Sequence, residues 1–212
     1  WEIERSDFVY KVCFGGHVVK EFQGGVESSV WMPSEVVLAK AYDNPIPGFS
    51  TKNTVNLRLW ASIPSEEFDF QKFNAGDYYG TVKSTQEALL ITSVLYPNDS
   101  TPNGRELRLK QEYFFVCATI QDILRRFTKK NKSLVDLPSK VAIQLNDTHP
   151  TFAIFELLKI LVDEHKFELM VAWHLITKVF SYTNHTVLPE ALEKWSVDVF
   201  QRLLPRHMEL VY

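Results

Sequence analysis

Apolar and polar positions change their period along this chain, and the change divides it. Val55, Leu57, Leu59 and Ala61 alternate with Asn56, Arg58 and Trp60, the two-residue period of a strand over residues 54–61 with one apolar face. Leu109, Tyr113, Val116, Cys117, Ile120, Ile123, Leu124 and Phe127 instead recur at three and four, which predicts a long helix with one apolar stripe. Before the helix the chain reads as mainly extended. Residues 8–14 and 17–22 are β-rich runs parted by Gly15 and Gly16, the second closing on Gly24 and Gly25, and they read as a hairpin-like pair. Residues 35–42 predict a buried strand that stops at 43–48, where Pro45 and Pro47 cannot continue a ladder. Residues 64–80 read as an acidic, aromatic loop, residues 84–95 as helical, and 96–104 as a long polar loop.

The last third alternates a strand with helices. Residues 141–145 are mostly apolar and end abruptly in Asn146, Asp147, Thr148 and His149, after which Pro150 opens an amphipathic run with Ile154, Leu157, Leu158 and Leu161 on one face. Residues 169–182 predict a further helix with Met170, Trp173, Ile176, Thr177 and Phe180 on its face, broken by Tyr182 to Thr186. A short helix is expected over 190–195, and Ser196 can cap the next, which Pro205 limits. The expectation is one α/β domain over residues 1–212, mainly β to 105 and α/β and helical from 106.

Candidate chemistry gathers where periodic segments end. The carboxyl end of a strand in an open α/β sheet is where ligands bind, which singles out Asn146 to His149. The plainer alternative is that Asp147 or Thr148 caps the following helix. Two other polar corners stand out, Asn98-Asp99-Ser100 and Asn184-His185-Thr186, the latter with Glu190 and Glu193 just downstream. A metal site built from His149, His185, Asp147 and Asp99 lacks any HExxH or HxH spacing, and no GxSxG elbow supports a triad. Glu66 and Glu67 are adjacent, so they point apart and make a poor glycosidase pair. What remains is a neutral polar pocket of the kind that hydrogen-bonds a sugar. Arg125 and Arg126, followed by Lys129, Lys130 and Lys132, complement a helix C-terminus, and an arginine pair also suits a phosphate. Arg58 reads as a solvated strand arginine.

Composition narrows the classes. The 212 residues are 45% hydrophobic and 23% charged, as in a soluble globular protein, and a net charge of −3 gives no sign of nucleic-acid binding or of a broadly basic membrane face. No apolar run approaches the ~18 residues of a membrane span. Cys13 and Cys117 form neither a disulfide framework nor a metal knuckle, so a cytoplasmic location is expected. The start at Trp1, with neither Met nor signal pattern, reads as that of a fragment.

Several runs together resemble the glycogen and starch phosphorylases, with a leaning to the fungal members. They are Asn56 to Trp60 (NLRLW), Leu95 to Asp99 (LYPND), Leu107 to Glu112 (LRLKQE), Gln121 to Phe127 (QDILRRF), Lys140 to Pro150 (KVAIQLNDTHP), Tyr182 to Lys194 (YTNHTVLPEALEK) and Leu203 to His207 (LLPRH). The resemblance implies part of the Rossmann-like N-terminal lobe of a glycosyltransferase-B (GT-B) fold. It also implies an α-1,4-glucan phosphorylase, which transfers a terminal glucosyl unit to inorganic phosphate and gives glucose 1-phosphate, with pyridoxal 5′-phosphate held by a lysine outside this chain. By this similarity His185 is the imidazole that contacts the glucosyl 6-hydroxyl, and Asn98, Asp99, Asp147, His149 and Glu193 line the pocket. Arg125 and Arg126 match an effector-phosphate pair, with Arg58 and Asp43 nearby at a subunit interface, so a homodimer or other self-association is expected. The 212-residue chain alone is then expected to be inactive. The rival expectation is a non-catalytic phosphorylase-like fragment that serves as a carbohydrate-binding or interaction module.

Overall fold

The computed structural model describes residues 2–23, 26–65 and 70–212. Glu66, Glu67 and the Gly24-Gly25 turn lie outside the described residues. Contacts gather in two compact units, one from the described residues of Trp1–Cys13 and Val36–Phe114, the other from Phe14–Glu35 and Phe115–Tyr212.

In the first unit, strands β1 (Ile3–Phe14), β4 (Glu35–Pro47) and β5 (Thr54–Pro64) form a sheet in the order β1-β4-β5. The expected hairpin of residues 8–14 with 17–22 is therefore wrong. Gly15 and Gly16 adopt φ of 64° and 76°, and this left-handed pair turns the chain out of the first sheet rather than back along it. The prolines also do less than expected, since β4 continues to Pro47, pairing Pro45 with Asn56 and Pro47 with Thr54. Gly48 N–H donates to Asn53 O at 2.9 Å, so in this antiparallel ladder the even-numbered positions of β4 are the ones that exchange bonds with β5. Both prolines then fall at positions where no N–H is required toward β5.

The segment expected to be a loop at 64–80 contains helix α1 (Phe70–Asn74) and the start of α2 (Tyr78–Leu90). Asp77 caps the latter by accepting from Gly80 N–H at 2.9 Å. Helix α3 (Pro102–Thr128) begins within the expected loop, because Pro102 needs no N–H partner in a first helical turn.

The second unit holds the antiparallel pair β2 (His17–Gln23) and β3 (Val26–Met32), the later half of α3, α4 (Leu137–Lys140), β6 (Ile143–Asn146), α5 (Phe152–Lys159), α6 (Leu169–Ile176), β7 (Phe180–Thr183), α7 (Val197–Leu203) and α8 (Pro205–Val211). Leu157, Leu158, Leu161, Ala172, Ile176, Leu203 and Leu204 are buried there with Cys117, Ala118, Ile120 and Leu124 of α3. The helix expected to reach 182 stops at Ile176. Phe180 to Thr183 alternate apolar and polar as a strand does, and pair in parallel with β6, Asn146 opposite Thr183. Its expected face is also only partly buried: Ile176 is enclosed, but Met170 is 64% exposed, and Ala172 and Leu175 are buried instead. Residues 189–191 form a single 3-10 turn rather than a helix over 190–195, and Ser196 caps α7 at Val199 N–H as expected. No helix among the described residues is long and apolar enough to cross a membrane.

Candidate functional site

A parallel pair brings both strand ends to the same side, with the intervening helices as the crossover. At the carboxyl end of β6, Asn146 is followed by Asp147, whose φ of 70° bends the chain sharply away from the strand. Asp147 N–H still reaches Thr183 O at 2.9 Å, and its Oδ1 accepts from Thr148 N–H at 2.8 Å. The capping reading of Asp147 and Thr148 is not met: the N-cap of α5 is Thr151, without a side-chain cap bond. Thr151 Oγ1 instead donates to Thr148 O at 2.7 Å. Thr148 Oγ1 is enclosed and has no hydrogen-bond partner among the described residues.

At the end of β7, Asn184 Oδ1 accepts from Thr186 N–H at 3.1 Å and sets a turn with His185 inside it. His185 Nε2 is hydrogen-bonded to Asn146 Oδ1. Gln144 Nε2 donates to Thr183 Oγ1 at 2.6 Å and ties the two strands one step earlier. His149 Nε2 stands 4.0 Å from Glu193 Oε1, at exposures of 31% and 17%. Asp147 and His185 are thus joined through Thr183 and Asn146 at one polar corner of the second unit, and the His149–Glu193 pair comes from the segments that follow the same two strands. The corner offers carboxylates, imidazoles and amides that water can reach, which suits a ligand rich in hydroxyl groups.

Asn98 and Asp99 belong to the first unit, on a loop with its own supports. Gln111, buried on α3, donates to Ile91 O at 2.8 Å and Val94 O at 2.9 Å, and accepts from Tyr96 N–H at 3.0 Å. A Cβ on Gly104 would meet Asn98 O at 1.8 Å, so only glycine lets the loop lie on the first turn of α3. Asn98 Oδ1 accepts from Ser100 N–H at 2.8 Å, and Arg108 reaches Asp99 at 3.6 Å while lying over the Tyr96 ring.

The phosphate candidates are organised by carboxylates. Asp122, buried on α3, takes Arg125 Nη2 at 2.8 Å and Arg126 Nε at 3.1 Å, one on each oxygen. In the first unit Arg58 is not a solvated arginine. It is 18% exposed, and it grips Asp43 with two bonds of 2.7 Å, joined by Arg5 at 2.9 Å. Both guanidinium groups lie against the Phe8 ring, at 4.4 and 4.6 Å from its centre. The hydrogen bonds from Arg58 hold the Asp43 carboxyl below the usual range, against the opposing effect of burial.

All 212 residues match the model of the phosphorylase family, described as carbohydrate phosphorylase. The chain belongs to the carbohydrate phosphorylase family. It is 54% identical to the glycogen phosphorylase of Saccharomyces cerevisiae, covering 100% of this chain and 24% of that protein. It is 50% identical to the glycogen phosphorylase of Chlamydia trachomatis and 48% identical to the brain-form glycogen phosphorylase of Homo sapiens, again over 100% of the chain and 26% of each relative. The chain thus spans about a quarter of the length of these curated relatives.

Within this carbohydrate phosphorylase chain, Gln111, Gly104 and Asp122 were not singled out from sequence, and Asn146 was singled out only as part of the polar corner, without a role of its own. Asp122 carried a legible signal, three and four positions before the two arginines. Gly104 and Gln111 carried none, because their partners are backbone groups of a loop whose course only the fold fixes. Among the described residues no group of three or more His, Cys, Asp or Glu side chains could hold a metal ion.

Proposed function

We propose that this chain is the central part of the Rossmann-like N-terminal lobe of a GT-B α-1,4-glucan phosphorylase, and that its polar corner binds a terminal glucosyl unit for transfer to inorganic phosphate as glucose 1-phosphate. The observation that carries this is the pair of parallel strand ends at Asn146 and Thr183, with Asp147, His149, His185 and Glu193 around them. His185 hydrogen-bonds the 6-hydroxyl and orients the sugar, while Asp147, His149 and Glu193 hold the corner through bonds to one another and to water. The enclosed, unpartnered Thr148 Oγ1 suits a further hydroxyl or water there. Asn98 and Asp99 are assigned to sugar binding by family resemblance.

Arg125 and Arg126, spread on Asp122, are the proposed grip for an effector phosphate, and Arg58 and Asp43 of the first unit are assigned an effector role by resemblance alone. Exposed Tyr78, Tyr79, Leu89 and Leu90 on α2 support self-association. Pyridoxal 5′-phosphate does not fit Lys159, the lysine drawn into the Glu156 cluster. Lys159, which reaches into the core, has burial working against its charge, but Glu156 at 3.0 Å outweighs this and holds the amine above its ordinary range, whereas an imine requires the neutral amine. The interaction-module alternative is not favoured, since the named relatives all carry phosphorylase names.

The test is release of glucose 1-phosphate from a glucan and inorganic phosphate by the polypeptide that carries this chain. Release is expected, and its loss in His185→Ala assigns the imidazole. The 212-residue chain alone is expected to release none, and turnover by it would overturn the division of labour proposed here.

A further inference from the structure

The contact between Asn146 and His185 fixes a property of the imidazole that neither the fold nor the family assigns. We propose that Asn146 is a positioning residue that holds His185 in the Nε2–H tautomer, leaving Nδ1 as the acceptor for a sugar hydroxyl. The inference rests on the reading of His185 as a sugar-binding group.

An amide oxygen can only accept, so an imidazole nitrogen bonded to Asn146 Oδ1 must carry the proton. In a neutral ring the other nitrogen is then a lone-pair acceptor, and a hydroxyl that meets it acts as donor. The geometry makes this contact a built one. Asn146 is the last residue of β6 and pairs with Thr183, the last of β7, two positions before His185. The Gln144–Thr183 bond at 2.6 Å and the Asp147 N–H to Thr183 O bond at 2.9 Å clamp the two ends at that level. The Asn184–Thr186 turn then carries the imidazole back over β6. His185 is itself exposed, so burial does not choose its tautomer; the amide of Asn146 does.

Asn146→Leu keeps the size of the side chain and removes the acceptor, and Asn146→Asp keeps an acceptor at the same place. The ring-nitrogen NMR resonances of His185 in the 212-residue chain read the tautomer directly. The expected result is Nε2 protonated in the parent and in Asn146→Asp, and a mixture in Asn146→Leu. In the polypeptide that carries this chain, Asn146→Leu is expected to lower kcat/KM with a glucosyl donor by about tenfold, the weight of one hydrogen bond. A 6-deoxyglucosyl donor, which lacks the hydroxyl, is expected to be used equally by parent and variant, and Asn146→Asp is expected to restore much of the loss. A parent ring protonated on Nδ1, or an Asn146→Leu variant with tautomer and 6-hydroxyl preference unchanged, overturns the proposal. Absence of phosphorolysis in the parent overturns the proposed function instead, and the NMR result still decides the tautomer.

Discussion

Two polar clusters in the second unit are built on opposite terms. Around Glu156, at 1% exposure, the charges lie inside: one carboxylate oxygen takes Lys159 Nζ at 3.0 Å and Cys117 Sγ at 3.4 Å, the other takes His207 Nε2 at 2.7 Å. His207 is fully enclosed, with Trp31 edge-on to its ring at 5.5 Å. At the ends of β6 and β7 the polar groups stay within reach of water, His185 and Asn146 exposed and His149 31% exposed. Buried polar groups lose hydration and need partners in its place, so the pairs around Glu156 tie α3, α5, α8 and β3 together. Groups that keep water can exchange it for the hydroxyl groups of a ligand, which is the use proposed above for the second cluster.

The largest effect expected from this contrast comes from Glu156→Ala. It leaves a buried ammonium and an imidazole N–H without their acceptor, a loss of about 3–5 kcal/mol in unfolding free energy. His149→Gln, in the open corner, is expected to stay within about 0.5 kcal/mol. Urea unfolding at neutral pH measures both, with the slope checked for constancy. Equal losses from the two variants would break the comparison.

A second test uses pH. Burial pushes the His207 imidazole below its ordinary range, Lys159 adds to this, and the bond to Glu156 opposes it. Above a pH of about 6.5 the ring is neutral in both folded and unfolded chains, and its contribution is fully present. As the pH falls below that value the unfolded chain takes the proton first. Stability is then expected to fall by up to about 1.4 kcal/mol per pH unit until the lower, folded value is passed. His207→Gln removes that slope. Urea midpoints between neutral and mildly acidic pH, taken for parent and variant, check it. A slope unchanged in the variant assigns the acid sensitivity elsewhere.

The contrast also explains what the sequence let one read. The apolar stripe of α3 and the run into Asn146 were legible, because periodicity and the abrupt polar ending are local facts. Strand β7 was not. Met170, Trp173, Ile176 and Phe180 fit a helical period, and only pairing with β6, 37 positions away by the register of Ile143 with Phe180, makes Phe180 to Thr183 extended. The same holds for β4, where Pro45 and Pro47 argue for a stop unless the ladder phase is known. In the corner, His185 and Asp147 were singled out by type and motif. The role of Asn146 depended on the strand pairing, and that of Gly104 on a carbonyl six positions earlier. Arg58 was misread because an arginine on a strand face says nothing of the carboxylate opposite, here Asp43 in register across β4 and β5.

The smallest expected effect is the sharpest for the open corner, because it separates backbone from charge at Asp147. At φ of 70° an ordinary side chain crowds the following carbonyl, and Asp is among the few that tolerate it. Asp147→Ala is expected to cost about 1 kcal/mol by strain alone. Asp147→Gly removes the strain together with the carboxylate, and Asp147→Asn keeps both the backbone preference and an acceptor for Thr148 N–H. If the residue serves only the bend from β6 into α5, Gly and Asn should match the parent in stability and in glucan turnover, and Ala should fall behind in both. If the carboxylate organises the corner as proposed, Gly should retain stability yet lose turnover, with Asn between them. The corner would then depend on the groups it presents to the ligand, as the Glu156 cluster depends on the groups it encloses.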